Sequence, residues 1–257
     1  MKIRDILGED VWHGSPHRHQ QFKLDNVGTG EGNIAYGWGL YFAGAREVAE
    51  YYRNGLSPGE WVIHGKRVRP KNNAEGWLLN HMTTMMRDKG HAGDVVEEVS
   101  QEIDTVSFLA PKQKQVAKTA LAAWIEAGIE WKSHGHVYHA QIPDEGSYLL
   151  WDEPYKNQPR AVKSALRKLT DKYKPHMSQV IKDNDTGEVI YRHMGNYNRN
   201  VARIFDEQQI NRKSSMDLAS VGIAGIKYLD GMSRYAGTGT YNYVVFDENA
   251  VQIKNVE

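Results

Sequence analysis

Strand-forming ends enclose a helix-forming middle in this chain, and few architectures accommodate that distribution. The first sixty residues are rich in glycine, histidine and aromatic side chains. They read as short strands and turns: Asp10–His13, a loop through Gly28–Gly39, then Leu40–Ala43. Ala45–Arg53 has helical spacing, with Val48, Tyr51 and Tyr52 on adjacent faces. Asn73–Arg87, Gly93–Asp104 and Pro111–Ala127 are helix-like. Leu78, Leu79, Met82 and Met86 make one apolar stripe, and Val116, Ala120, Ala123 and Ile125 suggest another. Strand character returns at Gly135–Ile142. Gln158–Tyr173, Asn196–Gln209 and Met216–Val221 read as helices, and Gly225–Asp230 and Tyr241–Asp247 as strands. Segregated strands and helices imply an α+β fold rather than regular βα alternation.

At 257 residues the chain fits a single domain, 1–257, with a helical insertion over 72–130. It has no cysteine, which excludes disulfides, thiolate metal sites and a cysteine nucleophile. The 32 basic and 32 acidic residues balance, so there is no global basic excess to advertise a nucleic-acid target. Lys66–Lys71 (KRVRPK) is a local basic stretch, read first as a solvated edge. The start, MKIRDILGED, lacks the apolar run of a signal peptide. No run approaches the roughly 18 apolar residues of a membrane span. These features lead us to expect a soluble, cytoplasmic protein with no membrane partner.

Chemistry concentrates in three segments. In Val11-Trp12-His13-Gly14-Ser15-Pro16, a histidine at a strand end precedes a glycine whose bare peptide can approach a ligand amide. Alone, so short a motif reads as readily as a turn. In Gly37-Trp38-Gly39-Leu40-Tyr41-Phe42-Ala43, two glycines lead into a strand, and Val48-Ala49-Glu50-Tyr51-Tyr52 follows on a helix. Tyrosines on adjoining elements can sandwich a flat ring or simply pack a core. In Tyr241-Asn242-Tyr243-Val244-Val245-Phe246-Asp247, alternation groups Asn242, Val244 and Phe246 on one face. Asparagine is depleted in strands. Asn242 therefore either has a polar task or serves the preceding Gly237–Thr240 turn.

Taken in order, these segments resemble the diphtheria-toxin and poly(ADP-ribose) polymerase branch of ADP-ribosyltransferases, which carries a His-Tyr-Glu triad. The resemblance is closer to the ADP-ribosyltransferase domains of phage and mobile-element polyvalent proteins. Phe22-Lys23-Leu24-Asp25 with Gly28-Thr29-Gly30-Glu31-Gly32, Leu149-Leu150-Trp151-Asp152, Gly225-Ile226-Lys227-Tyr228-Leu229-Asp230 and Ser233-Arg234 are similar to that group. It leaves the helical middle unexplained.

The resemblance implies a split, twisted antiparallel β-sheet and a toxin-like, metal-free enzyme that uses NAD⁺ as substrate. It also implies a phage or mobile-element origin and action in the host cytoplasm. Its expected activity is mono-ADP-ribosyl transfer to a macromolecular acceptor, protein rather than nucleic acid; alternatives are an NAD⁺ glycohydrolase or an inactive NAD⁺/ADP-ribose-binding module. His13 would bond the nicotinamide-side ribose and Gly14 the carboxamide, beside Ser15. Tyr41, reached through Gly39 and Leu40, would stack on nicotinamide, with Tyr51 or Tyr52 closing the other side. Val48 stands where the family often has a serine. Asn242 stands where the family has the triad glutamate, which argues against polymer elongation. An amide can still hydrogen-bond a ribose hydroxyl. Asp247 lies on the opposite face of that strand and, with Glu248, is not read as a replacement. Ser233-Arg234 contacts either a phosphate, the arginine fork suiting phosphate, or the acceptor, unless Arg234 is a plain surface residue.

Other constellations are weaker. His134 and His136 would share one strand face with His139 opposite, which suits exposed histidines better than a metal site. His17 and His19 flank the first motif. Gly28–Asn33 lacks the Gly-Lys-Ser/Thr ending of a P-loop.

Overall fold

The computed structural model describes residues 8–28, 36–153, 155–173, 179–182, 189–192, 212–231, 233 and 237–257. The architecture is mixed α and β, and the chain divides into two compact bodies. One comprises Met1–Trp12, His19–Arg46 and His139–Asn255; the other comprises His13–Arg18, Glu47–Tyr138 and Val256–Glu257. The helical block at 72–130 is thus only part of the second body.

A seven-stranded sheet organises the first body. Its strands are β1 (Glu9–Ser15), β2 (Leu40–Ala43), β6 (His136–Ile142), β7 (Tyr148–Leu150), β10 (Gly225–Leu229), β11 (Tyr241–Val245) and β12 (Gln252–Val256), in the order β12-β6-β1-β2-β11-β10-β7. The first strand continues to Ser15, so His13 sits inside it rather than at its end. Strand β11 pairs antiparallel with both β2 and β10. The expectation of a wholly antiparallel sheet fails at the edge, where β7 runs parallel to β10. A parallel pair needs a long crossover, and the chain between 150 and 225 supplies one.

The core of this body forms where helices meet the sheet. Helix α5 (Arg160–Tyr173) presents Val162, Ala165, Leu166 and Leu169 at i, i+3, i+4 and i+7, the spacing of one helical face. With Leu218 of α6 (Arg212–Ser220), they cover Leu149, Ile226, Tyr228, Val244 and Phe246. Burying each of the larger aliphatic side chains contributes about 1.5–3 kcal/mol. Just before α5, Gln158 is buried. Its side-chain carbonyl accepts from the Leu150 N–H at 2.8 Å, and its amide donates to the Leu150 carbonyl at 2.6 Å and the Glu153 carbonyl at 2.9 Å. It thereby satisfies the outward backbone groups of Leu150 as another strand would. Strands β8 (Gln179–Lys182) and β9 (Val189–Arg192) form a separate hairpin. The helix expected over Asn196–Gln209 lies outside the described residues.

The second body packs α2 (Asn73–Lys89), α3 (Ala92–Glu102) and α4 (Pro111–Glu126) with a small sheet of β3 (Gly59–Ile63), β4 (Lys66–Arg67) and β5 (Ile129–Ser133). Asn72 caps α2, its side-chain oxygen accepting from the Glu75 N–H at 3.0 Å. Gly90 ends that helix at φ 70°, a left-handed conformation suited to glycine. Leu78, Met82 and Met86 are buried with Val95, Val99, Ile103 and Trp61. On α4 the buried line is Ala117 and Leu121, while Ile125 is 46% exposed. The stripe expected through Ala123 and Ile125 is therefore displaced around the helix, because Leu121 rather than Ile125 anchors it. His134 belongs to the turn between β5 and β6, so it does not share a strand face with His136. No helix among the described residues is long and apolar enough to cross a membrane.

Candidate functional site

In the first body, register determines which side chains share a face. Tyr41 lies opposite Val244, and Asn242 lies opposite Ala43 on one side and Tyr228 on the other. Directly opposed residues point to the same face, so Tyr41, Asn242 and Tyr228 project together. Gly39 permits the close approach of these strands: a Cβ there would stand 2.6 Å from Val244 Cγ1 and 2.7 Å from the Val245 carbonyl oxygen. Leu40 is buried opposite Val245, on the other face.

Asn242 is 7% exposed, and its amide oxygen has no hydrogen-bond partner among the described residues. Unpaired buried acceptors are rare. The Tyr41 hydroxyl donates to the Gly37 carbonyl at 2.8 Å and accepts from the Tyr36 N–H at 3.2 Å. The turn it ties carries Tyr36 onto Tyr228, the rings 3.9 Å apart and 13° from parallel. Trp151 meets Tyr36 edge-on at 5.3 Å. Nothing in the sequence singles out Tyr36, and Trp151 and Tyr228 stand there only within motifs. Nothing local marks them, because the stack joins three distant segments.

The opposite face holds a buried amine. Lys227 pairs with Glu145 and lies 4.2 Å from the Tyr241 ring centre. Burial lowers its pKa, partly offset by the negative charge of Glu9. Tyr148 is fully buried beside Tyr243, and its hydroxyl has no partner among the described residues. Burial raises both phenols, Tyr243 to about 12.

Beyond β10, Asp230 accepts from the Ser233 N–H at 2.8 Å, from the Ser233 hydroxyl at 3.0 Å and from the Thr240 hydroxyl. This clamps the ends of the loop that carries Arg234, which itself lies outside the described residues, as do Thr29–Asn33. Glu248 accepts from the Leu24 N–H at 2.6 Å and from Lys23 at 3.0 Å. The Leu24 bond, then Lys23, holds its carboxyl below the usual range. Asp247 caps the following turn at Asn249. Both acids thus have local structural work.

The second body holds His13, Gly14 and Ser15 together with most of helix α1 (Arg46–Leu56). A Cβ on Gly14 would lie 2.0 Å from the Ala49 carbonyl oxygen and 2.6 Å from the Arg53 nitrogen. The bare glycine is therefore required by helix packing. Ser15 accepts from the His17 N–H at 3.1 Å. His13 is half-buried, its ring 6.3 Å from that of Tyr138. Tyr51 donates to the Asp88 carbonyl at 2.9 Å and packs its ring against Gly90. Tyr52 is 51% exposed. The two tyrosines thus differ: one is tied to the end of α2, the other displays its ring.

Of the other histidines, His81 pairs with Glu102 at 3.1 Å. His139 pairs with Asp10 at 2.9 Å and stacks on Trp12 at 4.5 Å. Among the described residues no group of three or more His, Asp or Glu side chains is arranged to hold a metal. No family model matches the chain, and no curated protein or solved structure matches it significantly.

Proposed function

We propose that this chain has an ADP-ribosyltransferase fold and is an NAD⁺-dependent mono-ADP-ribosyltransferase that cleaves the nicotinamide–ribose bond. The observation that carries the reading is Asn242: a buried amide oxygen without a partner among the described residues, on the sheet face that also bears Tyr41. Leaving such an acceptor unsatisfied costs about 1–3 kcal/mol. A ribose hydroxyl would satisfy it. The ordered His13, Tyr41 and Asn242 motifs support the same reading.

The reaction breaks the C–N bond with its electron pair leaving on nicotinamide, while a nucleophile on the acceptor bonds the ribose carbon and loses a proton. Positive charge develops on the ribose, as in other glycosyl transfers. An amide adds no negative charge to stabilise it. Asn242 therefore suits orientation of a hydroxyl, and single transfer rather than elongation. The balanced charge of the chain favours a protein acceptor over nucleic acid. The same substitution favours a second reading, a module that binds NAD⁺ or ADP-ribose without turnover.

Purified protein incubated with adenylate-labelled NAD⁺, with and without cell lysate, separates these. Nicotinamide release with label on protein supports the transferase. Release with only free ADP-ribose makes the chain a glycohydrolase. Binding without release leaves the module, and neither binding nor release removes the NAD⁺ reading.

A further inference from the structure

The aromatic cluster around Tyr36 is built like an occupied ligand slot. We propose that Tyr228 is a stacking platform for a flat nitrogen-heteroaromatic ring, and that Tyr36 covers this platform until the ligand displaces it. The inference rests on the NAD⁺ reading only for the identity of that ring.

Tyr36 and Tyr228 lie nearly parallel with centres 3.9 Å apart. Aromatic pairs generally prefer edge-on or offset arrangements with centres about 4.5–7 Å apart, because the faces of two electron-rich rings repel. An electron-poor or cationic ring suits the face of a phenol better than a second phenol does. Exchanging Tyr36 for such a ring would therefore improve the stack on Tyr228.

The surroundings fit the exchange. Trp151 stands edge-on to Tyr36 at 5.3 Å and would wall the same side of an incoming ring. Asn242 is the direct cross-strand partner of Tyr228. Its amide oxygen, unpartnered among the described residues, offers an acceptor to an amide or hydroxyl carried by the ligand. Tyr36 is followed by Gly37 at φ 116°, a conformation open to glycine and strained for other residues. That glycine gives the turn a pivot close to the ring that must move. Tyr36 and Trp151 are only partly buried against the core, so the slot lies at its rim.

The ring could be the nicotinamide or the adenine end of a dinucleotide, and calorimetric titration with nicotinamide, adenosine and NAD⁺ separately distinguishes them. Tyr36→Ala should bind the preferred compound about ten-fold tighter than wild type, since the competing stack is gone. Tyr228→Leu should bind it about ten-fold more weakly, and Tyr228→Phe should match wild type. Circular dichroism checks that each variant folds; if Tyr228→Leu does not, the Tyr36→Ala arm decides. Tyr36→Ala binding no tighter than wild type, or absence of binding to all three compounds, overturns the proposal. Nicotinamide release by wild type with no Tyr36 effect sinks this inference alone. Tighter ring binding by Tyr36→Ala without any release sinks the transferase reading alone.

Discussion

Asn242 holds a buried amide oxygen that has no partner among the described residues, and leucine is its apolar near-isostere. Asn242→Leu should therefore hold or raise stability, by about 1 kcal/mol in chemical denaturation, while abolishing nicotinamide release. A stability loss above about 2 kcal/mol would show that the amide is structurally satisfied after all. Asn242→Glu should raise release if the amide is a weakened triad acid. His13→Ala should lower release by about two to three decades with the fold intact; retained turnover removes His13 from the site. On the opposite face, Tyr148 and Tyr243 hold their protons more tightly folded than unfolded. Their contribution is intact below the ordinary phenol value of 10.0 and is lost as pH climbs through the folded values, about 12 for Tyr243. Tyr148→Phe should flatten the fall in stability above pH 10.0 and, by removing a hydroxyl unpaired among the described residues, should not destabilise the protein at neutral pH. The oddity of an asparagine in a β-rich run was visible in the sequence. The missing partner was not, nor was the Tyr36–Tyr228 stack, because both depend on which strands become neighbours.

At the scale of elements, close packing and capping make separate demands. Gly14→Ala would drive a methyl into the backbone of α1. It should cost about 1–3 kcal/mol or more in thermal unfolding, since backbone cannot yield as a side-chain tip can. An unchanged midpoint would mean that α1 moves freely. Asn72→Ala should cost about 1 kcal/mol through loss of the α2 cap. Helices α2 and α4 were legible because their lengths allow apolar spacing to repeat. Strands β2, β10 and β11 were legible as β-rich runs between glycine-containing turns. Strand β4 was hidden because two charged residues carry no period, and β12 because it is mostly exposed and alternates weakly. The parallel partnership of β7 had no local signal, being made by a distant return of the chain.

Across the whole molecule, two hydrophobic clusters draw on different residues. Leu166 belongs to one and Leu78 to the other, each at most 2% exposed. Either changed to alanine should cost about 2–5 kcal/mol. Hydrogen exchange should show Leu78→Ala weakening protection chiefly in α2–α4, and Leu166→Ala chiefly in α5 and β10–β11. Equal loss everywhere would mean that the bodies unfold as one unit. The glutamine that completes β7 also bears on how molecules meet one another. An open strand edge is a template for adding a strand from a second chain. Here one side-chain amide already occupies both hydrogen-bonding positions of Leu150, so the sheet ends in a built-in terminator and colloidal behaviour is partly entrusted to Gln158.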